Sequence, residues 1–243
     1  MDWYKRWFGE EYLLVYEHRN IQEAEYEIQR IKDIIGLRGD EHVLDLCCGP
    51  GRHDSAIAEL GCSVVGLDYS MPMLKIARES APYESTYPLY VRGDARHVPF
   101  KDEAFDVVLN LFTSFGYFTD EENKELIVTI ARVLKPGGRY LIDYLNPKQV
   151  IENLVEVSSR NKEGMKITEK RHYDRTTGRI EKTIFLQWDE NSQTFHESVR
   201  LYEPEEMRAM IRNAGLGNTT MLGSVDGEPY SPTSQRMILH GVK

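Results

Sequence analysis

The segment Val43-Leu44-Asp45-Leu46-Cys47-Cys48-Gly49-Pro50-Gly51-Arg52-His53 constrains the fold more than any other part of the chain. An apolar run ends in a glycine turn, and a helical pattern opens straight after it. A second apolar run, Val64-Val65-Gly66-Leu67, ends in Asp68, seventeen residues past Gly51. A strand, a tight glycine loop, a helix and a second strand closing on an acid form a cradle for an adenosine-type cofactor. The glycines let the backbone approach the ligand, and the acid accepts hydrogen bonds from ribose hydroxyls.

The rest of the chain extends this unit. Apolar positions at helical spacing (Ile21, Ala24, Ile28, Ile31, Ile34, Ile35) predict a helix within 11–35, stopped by Gly36 and Gly39. Strands are expected at 42–47, 63–67, 88–92, 105–111 and 138–145, and helices at 52–60, 71–80 and 121–134, with Pro136-Gly137-Gly138 turning into the fifth strand. Such alternation implies a parallel sheet with helices on both faces. Beyond about residue 156 the texture changes. Residues 166–201 alternate with period two (Ile167, Glu169, Arg171, Tyr173; Ile180, Lys182, Ile184, Leu186, Trp188), which predicts three or four antiparallel strands. A helix opening at Glu203-Pro204 and two closing strands near 216–223 and 235–242 resume the α/β pattern. The expected organisation is a helical segment and cofactor-binding core over 1–155, a β insertion over 156–202, and completion of the core over 203–243.

Charge narrows the partners. A net charge of −9 without a basic patch disfavours long nucleic acid and anionic membranes. No apolar run approaches the roughly 20 residues that span a bilayer. The aromatic start, Trp3-Tyr4-Lys5-Arg6-Trp7-Phe8, is unlike a signal peptide. Cys47, Cys48 and Cys62 form neither a disulfide framework nor a zinc spacing, so they are expected to be small packing residues in a reducing cytoplasm. No cluster of acids and histidines predicts a metal.

The dinucleotide fingerprint requires a third glycine where Asp54 stands. Asp45, four residues before the loop, suits a positively charged amine better than a pyrophosphate. At these residues the chain resembles the class I S-adenosylmethionine-dependent methyltransferases. Asp45 to Gly51 is similar to their first motif and Val64 to Ser70 to the second. Gly93-Asp94-Ala95-Arg96-His97-Val98-Pro99-Phe100 is similar to the third, Phe105-Asp106-Val107-Val108 with Asn110-Leu111-Phe112 to the fourth, and Leu134-Lys135-Pro136-Gly137-Gly138 to the turn before the fifth strand. The resemblance implies S-adenosyl-L-methionine as cofactor, held by Asp45, Cys47, Gly49, Gly51, Asp68, Tyr69, Met73, Gly93, Asp94, Ala95, Asn110 and Leu111. Arg19, on a leading helix, would reach the methionine carboxylate. It also implies an α/β, doubly wound, seven-stranded mostly parallel sheet of Rossmann-like methyltransferase type, with the antiparallel β insertion covering the active site.

Asn110-Leu111-Phe112-Thr113-Ser114-Phe115-Gly116-Tyr117-Phe118 is similar to a stretch of amino-sugar N-methyltransferases, a resemblance that implies the small-molecule branch and an amine nitrogen as the expected acceptor. Structural readings stay open beside these. Asp68 can cap the helix after it, and Asp45 can be a buried structural acid. Phe112, Phe115 and Tyr117 can be core. Tyr117, Tyr144 and His196 are candidates for acceptor chemistry, and Asn146 for acceptor contact. Tyr4, Tyr12 and Tyr16 either line the pocket or staple the first helix. An RNA or protein acceptor, a non-catalytic cofactor-binding protein and a homodimer remain alternatives.

Overall fold

A computed structural model describes residues 3–16, 21–81 and 86–243. The chain order is α1 (Tyr4–Trp7), α2 (Glu10–Val15), α3 (Ile21–Ile35), β1 (His42–Leu46), α4 (Asp54–Glu59), β2 (Ser63–Asp68), α5 (Met71–Ser80), β3 (Leu89–Arg92), β4 (Phe105–Asn110) and α6 (Asp120–Val133). Then come β5 (Leu134–Leu145), α7 (Pro147–Glu152), β6 (Val157–Lys162), β7 (Met165–Asp174), β8 (Arg179–Trp188), β9 (Asn191–Arg200), α8 (Pro204–Asn213), β10 (Gly217–Leu222) and β11 (Arg236–Val242).

One sheet of seven strands runs β10-β11-β5-β4-β1-β2-β3. Its strands are parallel except β11, which is antiparallel to both β5 and β10. Val43, Leu44 and Leu46 of β1 are fully buried, as expected of a central strand covered on both faces. The chain leaves β1 toward β2 and β3, then returns to β4 on the other side. That reversal opens a crevice outside the carboxyl ends of β1 and β4, where open α/β sheets bind ligands. The helices that flank it are locally encoded. Ser70 caps α5 by accepting from Met73 N, and Thr119 and Glu122 form a reciprocal capping box on α6.

The second sheet is the antiparallel meander β6-β7-β8-β9. It begins at Val157, earlier than the alternation suggests. Glu163 and Gly164, both at positive φ (47° and 80°), join β6 to β7 in the turn geometry that tight hairpins favour. Ile167, Ile184 and Leu186 of this sheet bury Trp3, Tyr4, Trp7 and Val15, so the N-terminal aromatic segment fastens to it.

Three elements differ from expectation. The helix expected within 11–35 is two helices, α2 and α3, because they serve different surfaces: α3 buries Ala24, Ile28, Ile31 and Ile35 on the main sheet. Strand β5 starts at Leu134, because Phe105 pairs Leu134 and then Val107 pairs Arg139, with Pro136-Gly137-Gly138 bulged out between them. Helix α7 was not expected, although Asn146-Pro147 is a cap followed by a first-turn proline, and Asn146 accepts from Lys148 N.

Candidate active site

The glycine loop is bent into place by the sheet. Cys47 N and Cys48 N both donate to Leu67 O of β2, at 2.7 and 3.1 Å, while Cys47, Gly49 and Gly51 all adopt positive φ. The two glycines do different work. A Cβ built on Gly49 meets nothing within 4 Å, since this residue faces a cavity of about 330 Å³. A Cβ on Gly51 would lie 2.4 Å from the Tyr90 hydroxyl and 2.9 Å from Ala77 Cβ. Gly51, expected beside the cofactor, packs the loop onto α5 and β3 and is not among the residues that line the cavity.

Carboxylates surround the loop. Asp68 Oδ2 accepts from Gly49 N at 2.9 Å and Oδ1 from Ser70 N at 2.8 Å, so it braces both the loop and the start of α5 while lining the cavity. Burial pushes its carboxyl up, and the backbone N–H groups oppose that shift. Asp45 is only 1% exposed, and its Oδ1 has no hydrogen-bond partner among the described residues. Burial raises its pKa too. Asp54, in the first turn of α4, lies against Asp45 and Tyr90 and is pushed well above the carboxylate range by burial and by the charge and hydrogen bond of Asp45. Unpaired buried carboxyls are costly, and an arriving cation relieves that cost. Asp94, by contrast, is held below the ordinary range by Arg96, whose guanidinium grips it at 2.7 and 3.0 Å.

The cavity runs from this acidic end beneath an aromatic roof. Cys47, Tyr69, Met73, Gly93, Ala95 and Leu111 line it with Asp45, Gly49, Asp68 and Asp94. Tyr4, Phe8, Tyr12 and Tyr16 close it from the N-terminal segment, and Phe112, Tyr117 and Phe118 from the segment after β4. The roof is tied down at both ends: Ser70 donates to Phe8 O, while Arg160 and Lys162 of the second sheet donate to Val15 O and Leu14 O. Burial drives the Cys47 and Cys48 thiols well up, which keeps them neutral packing groups.

Other expected residues lie elsewhere. Asn110 is fully buried and donates to Leu46 O at 2.8 Å, tying β4 to β1. Tyr144 is fully buried, donates to Arg200 O and packs edge-on against Phe115; both are core. Asn146 caps α7 and donates to Ser234 O at 2.6 Å. His196 alternates with Glu197 along β9 and lines another cavity of about 530 Å³, which shares Tyr4, Tyr117 and Phe118 with the first. Its Nδ1 lies 3.3 Å from the Thr183 hydroxyl. Arg19 lies outside the described residues.

Two charged groups escaped the sequence reading. Arg52 and His53 line the cavity, and Glu27 behind them bonds His53 Nε2 at 2.8 Å and Arg236 at 2.8 Å. Burial opposes ionisation of Glu27, but His53 and the arginines hold it near 2. The available signal was an acid inside the apolar stripe of α3. The second group lines an adjoining cavity of about 240 Å³, which shares Phe8, Tyr12, Tyr16, Phe112 and Tyr117 with the first. Its polar wall is Arg171, Lys182 and Glu197, three charged residues at inward positions of alternating strands. Among the described residues no three or more His, Cys, Asp or Glu side chains group to hold a metal, and no helix is long and apolar enough to cross a membrane.

Residues 43–138 match the family model of a methyltransferase domain. The chain is 34% identical over 204 residues to the cypemycin N-terminal methyltransferase of a Streptomyces species, with 81% of each chain covered. Among solved structures, an S-adenosylmethionine-dependent methyltransferase from Clostridium acetobutylicum superposes with a TM-score of 0.77 at 16% identity, over 95% of this chain and 94% of that one. A sugar N-methyltransferase from a Streptoalloteichus species superposes with a TM-score of 0.67 at 23% identity, over 97% and 93%. These two likenesses are of fold.

Proposed function

This chain belongs to the S-adenosylmethionine-dependent methyltransferases, and from that premise we propose that it methylates an amine nitrogen of a small molecule held between the aromatic roof and the second sheet. The observation that carries the reading is the pair of adjoining cavities with a shared aromatic wall, one of which also holds Asp45, Asp68 and Asp94. The cofactor fits the first: Asp45 Oδ1 lacks a partner, and the space over Gly49 is open. A cavity of about 330 Å³ is within the roughly 300–1,000 Å³ of small-molecule sites.

S-adenosylmethionine, when bound, supplies an activated methyl group on a sulfonium. In our assignment Asp68 takes the ribose hydroxyls, Asp45 faces the methionine ammonium, and Tyr69, Met73, Asp94 and Ala95 hold the adenine end. Asp45 and Asp68 give this end a negative field suited to a cationic ligand. Tyr4, Phe8, Tyr12 and Tyr16 exclude water and offer ring faces to positive charge, at about 0.5–2 kcal/mol each. Phe112 and Tyr117, which wall both cavities, align the acceptor with the methyl group. Holding two reactants in near-attack geometry supplies on the order of 7–11 kcal/mol, so alignment and dryness are the main demands on the site.

Nitrogen as the acceptor is supported by the relative that matches over 81% of both chains, whose name assigns its methyl to an N-terminus. The same name favours a second reading, the amino terminus of a peptide entering the smaller cavity. Methyl-labelled cofactor incubated with pools of small amines, alcohols and short peptides tests both. Label in a small amine is the expected result; label only in peptides selects the second reading, and label only in alcohols refutes both.

A further inference from the structure

We propose that Glu197 is the acceptor-binding carboxylate of this enzyme, its Oε2 receiving the N–H of a neutral amine whose apolar or aromatic body rests against Trp3, Phe8, Tyr12 and Tyr117. The inference rests on the amine reading above and names the residue and substrate form that the reading lacks.

Strand register builds the feature. Arg171 pairs Lys182 across β7 and β8, and Lys182 pairs Glu197 across β8 and β9, so the three form a row on the face toward the smaller cavity. Two of the three are spent. The Arg171 guanidinium lies 2.8 Å from Glu169 Oε2 and donates to Ser158 Oγ at 3.0 Å. Lys182 Nζ lies 2.7 Å from Glu169 Oε1, donates to the Tyr16 hydroxyl, and sits 4.7 Å over the Tyr16 ring. Glu197 differs. Its Oε1 accepts from Trp7 Nε1 and from the Tyr16 hydroxyl at 2.9 Å. Its Oε2 has only longer contacts, the same hydroxyl at 3.2 Å and Lys182 Nζ at 3.5 Å. The single Tyr16 proton cannot serve both oxygens, so Oε2 keeps acceptor capacity. Glu197 is the one carboxylate lining this cavity among the described residues.

The charge balance selects the form of the amine. Arg160, Arg171 and Lys182 face only two carboxylates, Glu169 and Glu197, so the cluster carries a surplus of positive charge. A neutral N–H donor suits it better than an added ammonium beside Lys182, because a neighbouring cation lowers an amine's pKa. The neutral form is also the nucleophile. As the nitrogen lone pair forms the N–C bond, the S–C bond breaks with its electron pair left on sulfur. The N–H proton then passes to Glu197 Oε2 and on to water.

The test uses the full chain with phenethylamine, benzylamine and cyclohexylamine, and 2-phenylethanol as the hydroxyl control. Readouts are demethylated cofactor formed and the affinity for added demethylated cofactor. The parent should methylate at least one amine and not the alcohol. Glu197→Gln keeps acceptors for Trp7 and Tyr16, so it should bind demethylated cofactor within about twofold of the parent. Its kcat/KM for the amine should fall by about 10²–10⁴, the usual contribution of a positioned base, and added formate should restore turnover to Glu197→Ala. Should Glu197→Gln fail to fold, Glu197→Asp serves, with KM for the amine raised at least tenfold and cofactor affinity kept. Parental turnover of the Gln variant, parental KM of the Asp variant, or equal loss of cofactor binding overturns the role of Glu197 while leaving amine methylation standing. A parent that methylates no amine removes both.

Discussion

The same substitution, placed two residues apart in the glycine loop, should give two different failures. Gly49 and Gly51 sit at φ +57° and +69°, so alanine at either position is strained by about 1–2 kcal/mol. At Gly49 no protein atom lies within 4 Å of the added methyl. The unfolding free energy should fall by about 1 kcal/mol, lowering Tm by about 2–4 °C for a chain of this size. The methyl enters the cofactor cavity, however, and affinity for demethylated cofactor should drop at least tenfold, or about 1.4 kcal/mol. At Gly51 the methyl meets Tyr90 Oη at 2.4 Å and Ala77 Cβ at 2.9 Å. Overpacking adds about 1–3 kcal/mol to the strain, for a total of about 2–5 kcal/mol. Tyr90→Phe removes the hydroxyl that the added methyl meets, so it should recover part of the Gly51→Ala loss. Urea unfolding and titration calorimetry with demethylated cofactor separate the two outcomes. Parental affinity in Gly49→Ala would refute the placement of the cradle. A Gly51→Ala variant no less stable than Gly49→Ala would refute the packing argument.

Asp54 holds its proton more tightly folded than unfolded, so its contribution to stability declines as pH rises above about 4. Asp54→Asn should therefore flatten the fall in stability as pH rises above about 4, measured by urea unfolding; an unchanged slope would sink the assignment. Glu169, with its pKa lowered from 4.5 to about 2 despite its burial by the hydrogen bond and charge of Lys182 and by Arg171, contributes stability that is present above pH 4.5 and lost as pH falls toward 2. Glu169→Gln should cost roughly 3 kcal/mol at pH 7, at about 1.4 kcal/mol per tenfold change in proton affinity, and clearly less at pH 3; an equal loss at both would refute it. Asp68→Ala removes the acceptor of both Gly49 N and Ser70 N, so calorimetry should show cofactor affinity down more than tenfold, with about 1–3 kcal/mol lost from stability; affinity within twofold of the parent would contradict the brace.

Much of the architecture was legible in order and spacing. The period-two and period-3.6 patterns, the Gly49-Pro50-Gly51 turn and the acids at strand ends are local properties. Local properties determine where a strand ends and a helix begins, because backbone conformation and capping depend on near neighbours. The crevice followed from those ends, and with it the convergence of Asp45, Asp68 and Asp94. Which side chains face the crevice was decided by tertiary structure. Gly49 and Gly51 read alike, yet Tyr90, arriving on β3, and Ala77 of α5 make Gly51 a packing residue. Asn110 and Tyr144 read as site residues, but each turned inward to satisfy a backbone carbonyl, of Leu46 and of Arg200. Glu27, Lys182 and Glu197 are charged residues of α3, β8 and β9. They became polar walls once strands and helices distant in sequence brought opposite charges against them, since a buried charge is tolerable only where a distant partner meets it.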